Sequence, residues 1–136
     1  MQTKPVLTNA DVRAIAAAAE AEALKQQWAV TIAIADDGGH LLWLQRLDGA
    51  APVSSHIAAE KARCSALGRR PSKDYEDMIN GGRTAFLSAP VVAGLLEGAL
   101  PILVDGQCVG AVGVSGVQAS QDAQVAAAGI AALKLA

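Results

Sequence analysis

A chain of 136 residues, 52% of them hydrophobic, is long enough for one domain with a core and too apolar for a disordered segment. A formal net charge of -2, with Arg69-Arg70 as the largest basic cluster, excludes an electrostatic nucleic-acid binder. No uncharged apolar run has membrane-spanning length and Met1–Val6 lacks a signal-peptide layout, so a cytoplasmic protein without membrane contact is expected.

Thr8 caps a first helix, with Asp11 three residues on as the carboxylate of a capping box. Val12, Ile15, Ala16, Ala19, Ala23 and Leu24 recur at helical spacing, and the helix is expected to end near Gln27. Val30, Ile32 and Ile34 alternate with Thr31, Ala33 and Ala35 as a strand. Asp36–Gly39 turns the chain into a second strand, His40–Leu47. Both strands carry apolar residues on both faces, so a sheet covered on both sides is expected.

After the loop Asp48–Pro52, Ser54 or Ser55 caps a second helix that runs to Leu67 and ends at Gly68. Pro71-Ser72 opens a short third helix that Asn80-Gly81-Gly82 ends. Residues 83–88 read as irregular and Val91–Leu96 as a strand. The stretch 98–116 is a hairpin turned at Asp105-Gly106. Glycines at 110, 113 and 116 in its second arm point to close approach by a helix, a second chain or a ligand, and the last helix, Gln118–Leu135, is the expected neighbour. Gly129 in that helix would ease the contact. The order of elements predicts an α+β fold in one domain over residues 1–136. Those glycines lie within a hairpin strand and form no dinucleotide fingerprint.

Five segments, in this order, carry a family resemblance: Arg46–Ala50, Ile57–Ala62, Leu100–Ile102, Val109–Gly116, and Gln121-Asp122 with Ala128–Ile130. The chain resembles the GlcG/HbpS family of heme-binding-like proteins, to which the C-terminal domain of PduO-type adenosyltransferases is related. The resemblance covers nearly the whole chain and implies a profilin-like fold, with a five-stranded antiparallel sheet flanked by helices. It also implies homo-oligomers, from dimers to octamers, heme or heme-product binding, and association with catabolic operons. Heme-binding relatives use a histidine on or near the first helix. Residues 9–27 here contain none, so a heme in this chain needs another ligand.

His56 is the leading candidate, as iron ligand or as a general base oriented by Glu60 one turn on; the plainer alternative is a surface pair. Lys61 can neutralise a substrate carboxylate or a heme propionate, or form a structural ion pair with Asp48 or Asp122. Arg46 and Asp48 can hold the Gly49-Ala50 loop, or Arg46 can clamp a carboxylate. Ser115 and Asp122, at the start of the last helix, complete the ligand-binding set, with amides there available to an anion. Trp28 and Trp43 serve the core or wall a flat ligand. His40 reads as a solvent-facing turn residue, and Cys64 and Cys108 as buried thiols without metal-ligand spacing.

Three functions follow. The first is an oligomeric small-ligand-binding protein, with heme or a related tetrapyrrole as the ligand. The second is a small lyase or isomerase acting on a hydroxy- or keto-carboxylate, with His56 or Glu60 moving a proton and Lys61 stabilising the enolate. The third is a non-catalytic accessory protein.

Overall fold

The computed structural model describes residues 1–133. Helix α1 (Asn9–Gln26) precedes strands β1 (Thr31–Asp36) and β2 (Leu41–Arg46). Helices α2 (Val53–Gly68) and α3 (Ser72–Asn80) and a 3-10 turn (Thr84–Ser88) come next. Strands β3 (Ala99–Val104) and β4 (Gln107–Ser115) and helix α4 (Ala119–Ile130) complete the chain. The fold is α+β, with one antiparallel sheet of four strands in the order β2-β1-β4-β3.

The expected fifth strand is absent. Residues 91–96 form an irregular strap, because Gly94 takes a φ of +66° and lies directly on the Glu60–Lys61 backbone of α2. The strap is tied at both ends, by the Arg63 guanidinium donating to the Val91 carbonyl and by the Glu97 N–H donating to Glu76 Oε2 at 3.2 Å. Its backbone groups therefore serve α2 and α3 and not the sheet.

The α1 start follows the expected chemistry. Asp11 N–H donates to Thr8 Oγ1 at 3.3 Å, and Thr8 N–H donates to Asp11 Oδ2 at 2.8 Å. The Thr8 N–H and the Thr8 hydroxyl, both donating to Asp11 Oδ2 at 2.8 Å, hold the Asp11 carboxyl below its ordinary value of 3.8. A group lowered by folding contributes stability above its ordinary value, and that contribution disappears as the pH falls through the lowered one. Thr8→Ala is therefore expected to cost about 1 kcal/mol in urea unfolding at neutral pH, and less once the pH has fallen through the lowered value of Asp11.

Ser54 does not cap α2. It is buried, and its hydroxyl meets Thr31 Oγ1 at 2.7 Å and donates to the Ala51 carbonyl at 2.5 Å, which pins the start of α2 to β1. The left-handed residue at the end of α2 is Arg69 (φ 56°), not Gly68. Gly68 lies under the Tyr75 ring instead, where a Cβ has no room. The last helix ends at Ile130, and the part of the predicted helix at 134–135 lies outside the described residues.

The two faces of the sheet differ. Ile32, Ile34, Val112 and Val114 project onto Val12, Ile15, Val125 and Ala126 of α1 and α4, the main core. Ala33 and Ala35 face Ala58 and Ala62 of α2 on the other side. Only β1 and β4 are covered on both faces; β2, at the edge, leaves Leu41, Leu42 and Leu44 exposed. Both α2 and α4 lie on the glycine strand, on opposite faces, and the close approach at Gly113 is made by α2 rather than by α4. At Gly113, opposite Ala33 in the register, the backbone of Ala58 and Ala62 occupies the place of a side chain. Gly129 packs against Ile15 and Ala19 of α1, so it serves the α1–α4 contact.

Candidate functional site

The residues expected to act together occupy three places. The first is a buried ion pair. Lys61 reaches from α2 past Gly98 and donates to Asp122 Oδ2 at 3.1 Å and to the Val114 carbonyl at 3.0 Å. Lys61 is 3% exposed and Asp122 2%. Gly98 is needed at this crossing, since a Cβ there would stand 2.5 Å from the Lys61 ammonium nitrogen. Burial pushes the Asp122 carboxyl above the ordinary carboxylate range, against the pull of Lys61 and of the Val117 N–H. The pair ties α2, β4 and the first turn of α4 together. Asp122 is thus the partner of Lys61, and the lysine is not positioned to meet a substrate carboxylate or an enolate.

The same chemistry closes the start of α4. Val117 N–H donates to Asp122 Oδ1 at 3.2 Å and Gln118 N–H to Gln121 Oε1 at 3.3 Å. Two of the amides after Ser115 expected to receive an anion, those of Val117 and Gln118, are thus satisfied by the helix's own side chains. Ser115 itself is buried opposite Thr31 in the sheet.

The second place is a cleft of about 330 Å³ between the end of α1 and the end of β2. Glu20, Trp28, Gln45, Arg46 and Asp48 line it. The loop beyond β2 is held by its main chain, with Leu47 N–H on the Val30 carbonyl at 2.9 Å, Ala50 N–H on the Leu47 carbonyl at 3.1 Å, and Gly49 at a φ of +85°. Arg46 and Asp48 do not hold it, and neither enters an ion pair among the described residues. Arg46 is exposed, so its planar fork of donors is free to face a carboxylate beside the Trp28 ring. Trp43 is half-buried on the core beneath β2.

The third is the surface start of α2. His56 is exposed there and Glu60 half-buried, and no hydrogen bond joins them among the described residues. His56 lines neither the Trp28–Arg46 cleft nor the space under the strap. His40 is exposed at the β1–β2 turn with its Nδ1 3.2 Å from Asp36.

The Trp28–Arg46 cleft offers groups for a flat face and for a carboxylate but none for an iron: among the described residues no His, Cys, Met or Tyr lines it. Among the described residues no three His, Cys, Asp or Glu side chains group around a metal position. Cys64 is buried, and burial, helped by Glu60, pushes its thiol up to about 11, so it stays protonated at neutral pH.

Sequence reading missed the space under the strap. Ile79, Leu87, Val92, Leu95 and Leu96 line an open cleft of about 450 Å³ there, with Glu76 and Asn80 on the wall. The signal was the apolar group Val91, Val92, Leu95 and Leu96 interrupted by Gly94, which has neither strand nor helix period.

The family model for haem degrading HbpS-like proteins matches residues 7–131. Protein GlcG of Escherichia coli strain K12 is 56% identical over 115 residues, 85% of each chain. The crystal structure of a PduOC:heme complex superimposes with a TM-score of 0.85 at 27% identity, over 97% of this chain and 98% of the other. A double mutant of Streptomyces reticuli HbpS gives a TM-score of 0.88 at 29% identity, over 98% and 90%.

Proposed function

The chain belongs to the HbpS-like family, and from that premise we propose that it is a small-ligand-binding protein whose ligand is a flat, carboxylated molecule of the tetrapyrrole class, held in the Trp28–Arg46 cleft. The carrying observation is the unpaired Arg46 guanidinium in the same cleft as an indole ring. The ring supplies the wall for a planar body and the guanidinium the fork for a carboxylate. Glu20 and Asp48, on the same wall, select against ligands that bring a carboxylate to every edge. The relative solved with heme supports the ligand class. Should the iron take a protein ligand, His56 is the candidate, from outside the cleft.

A homo-oligomer is part of this reading. Edge strand β2 exposes Leu41, Leu42 and Leu44 at 48%, 39% and 47%, with no charge before Arg46. An edge of that composition, without the usual protecting charges, favours pairing with a second copy.

Titration with hemin and with iron-free protoporphyrin IX, followed by quenching of Trp28 in a Trp43→Phe background, tests the proposal. Both are expected to bind within threefold of each other, and Arg46→Ala is expected to weaken both about tenfold. Loss of hemin binding in His56→Ala, with no protoporphyrin binding, would instead place the ligand at the start of α2. Binding of neither at micromolar concentration would end the tetrapyrrole reading.

A further inference from the structure

The space beneath the strap is independent of the Trp28–Arg46 cleft and has its own chemistry. Its walls are aliphatic: Ile79 from α3, Leu87 from the 3-10 turn, and Val92, Leu95 and Leu96 from the strap. One polar end is formed by Glu76 and Asn80, one turn apart on α3. Glu76 uses Oε2 to accept the Glu97 N–H, which fixes the carboxylate and leaves Oε1 without a partner among the described residues. The cations nearby are already engaged. Lys73 pairs with Asp77 at 2.7 Å, Arg63 donates to the Val91 carbonyl, and Lys61 is buried on Asp122. Glu60 touches the strap at Gly94, and Glu97 lies at the strap's end. Among the described residues, Glu76 is the one charged side chain that lines the space.

We propose that this cleft is a second binding site, for a primary ammonium ligand with an aliphatic body. The ammonium group donates to Glu76 Oε1 and to the Asn80 side-chain carbonyl, and the hydrocarbon lies between Ile79, Leu87 and Leu95. The volume of about 450 Å³ accepts a chain of several carbons. A carboxylate in the same place would face Glu76 and is disfavoured.

The site is tested by amide chemical-shift titration of the full chain with n-hexylammonium chloride and, separately, sodium hexanoate. The ammonium salt is expected to shift the amides of Asn80, Gly94 and Leu95 saturably, and hexanoate to bind at least tenfold more weakly. Glu76→Gln keeps the acceptor for the Glu97 N–H and removes the charge, and is expected to weaken hexylammonium about tenfold. Leu95→Trp, which fills the space, is expected to abolish the shifts while leaving protoporphyrin binding intact. Equal binding of the two probes, an unchanged affinity in Glu76→Gln, or no saturable shift with either probe would overturn the proposal. None of these outcomes bears on the tetrapyrrole reading, which is measured at Trp28.

Discussion

Asp122→Asn is expected to cost about 3–5 kcal/mol at neutral pH, read as a lower urea midpoint with an unchanged slope. The substitution keeps the shape of the side chain and its acceptor for the Val117 N–H, but replaces the oxygen that accepts from Lys61 by an NH2 donor, so the loss combines the charge and that bond. It leaves the Lys61 ammonium 3% exposed, with the Val114 carbonyl as its remaining partner. A buried cation without a counter-charge is among the few single changes that reach this size. The same reasoning predicts the opposite for the pair as a unit. Burial outweighs the attraction of Lys61 in setting the state of Asp122, so the pair is not itself a strong source of stability. The double variant Lys61→Met, Asp122→Leu is expected to regain at least half of the single loss. A double variant as unstable as the single one would show that the bonds to Val114 and Val117, not the charges, hold α2 to α4.

Gly113→Ala is expected to destabilise the protein by about 3 kcal/mol, at the upper end of overpacking costs, or to leave it insoluble. The added methyl would stand 2.5 Å from Ala62 N and 2.9 Å from its Cα, and on the Ala58 carbonyl as well. These atoms are helix backbone and cannot rotate away as a side-chain tip can, so α2 must move off the sheet. Such a shift disturbs the Ser54–Thr31 contact and the Lys61–Asp122 pair together. Gly106→Ala is the control. Its Cβ meets nothing within 4 Å, and the strain comes from a φ of +77° alone, a cost of about 1 kcal/mol. Thermal unfolding of the two variants separates steric from conformational cost. Similar melting temperatures would mean that α2 does not lie as close to β4 as described.

The close approach at Gly113 was legible as a prediction, but its partner was not. Three glycines on one strand announce that something comes near, and α2 and α4 both read as small-residue helices. Which of them lies there depends on the face to which Gly113 points, set by its register opposite Ala33. The strap failed for a related reason. Val91–Leu96 has strand composition, but Gly94 is held against Glu60 and Lys61 by ties at the strap's two ends, Arg63 to Val91 and Glu76 to Glu97, which span 28 and 21 residues in sequence. A local pattern carries no trace of such ties.

The family segments, the Asp105-Gly106 hairpin, the capped first helix and the list of candidate residues all followed from the linear order of side chains, because each rests on neighbours within a few positions. Tertiary structure alone decided how those candidates divide. It buried Lys61 on Asp122, left Arg46 free beside Trp28, and set His56 apart from both. The physical reason is that a charge's role depends on what stands within a few ångströms of it and on how much water remains there, and both are products of packing.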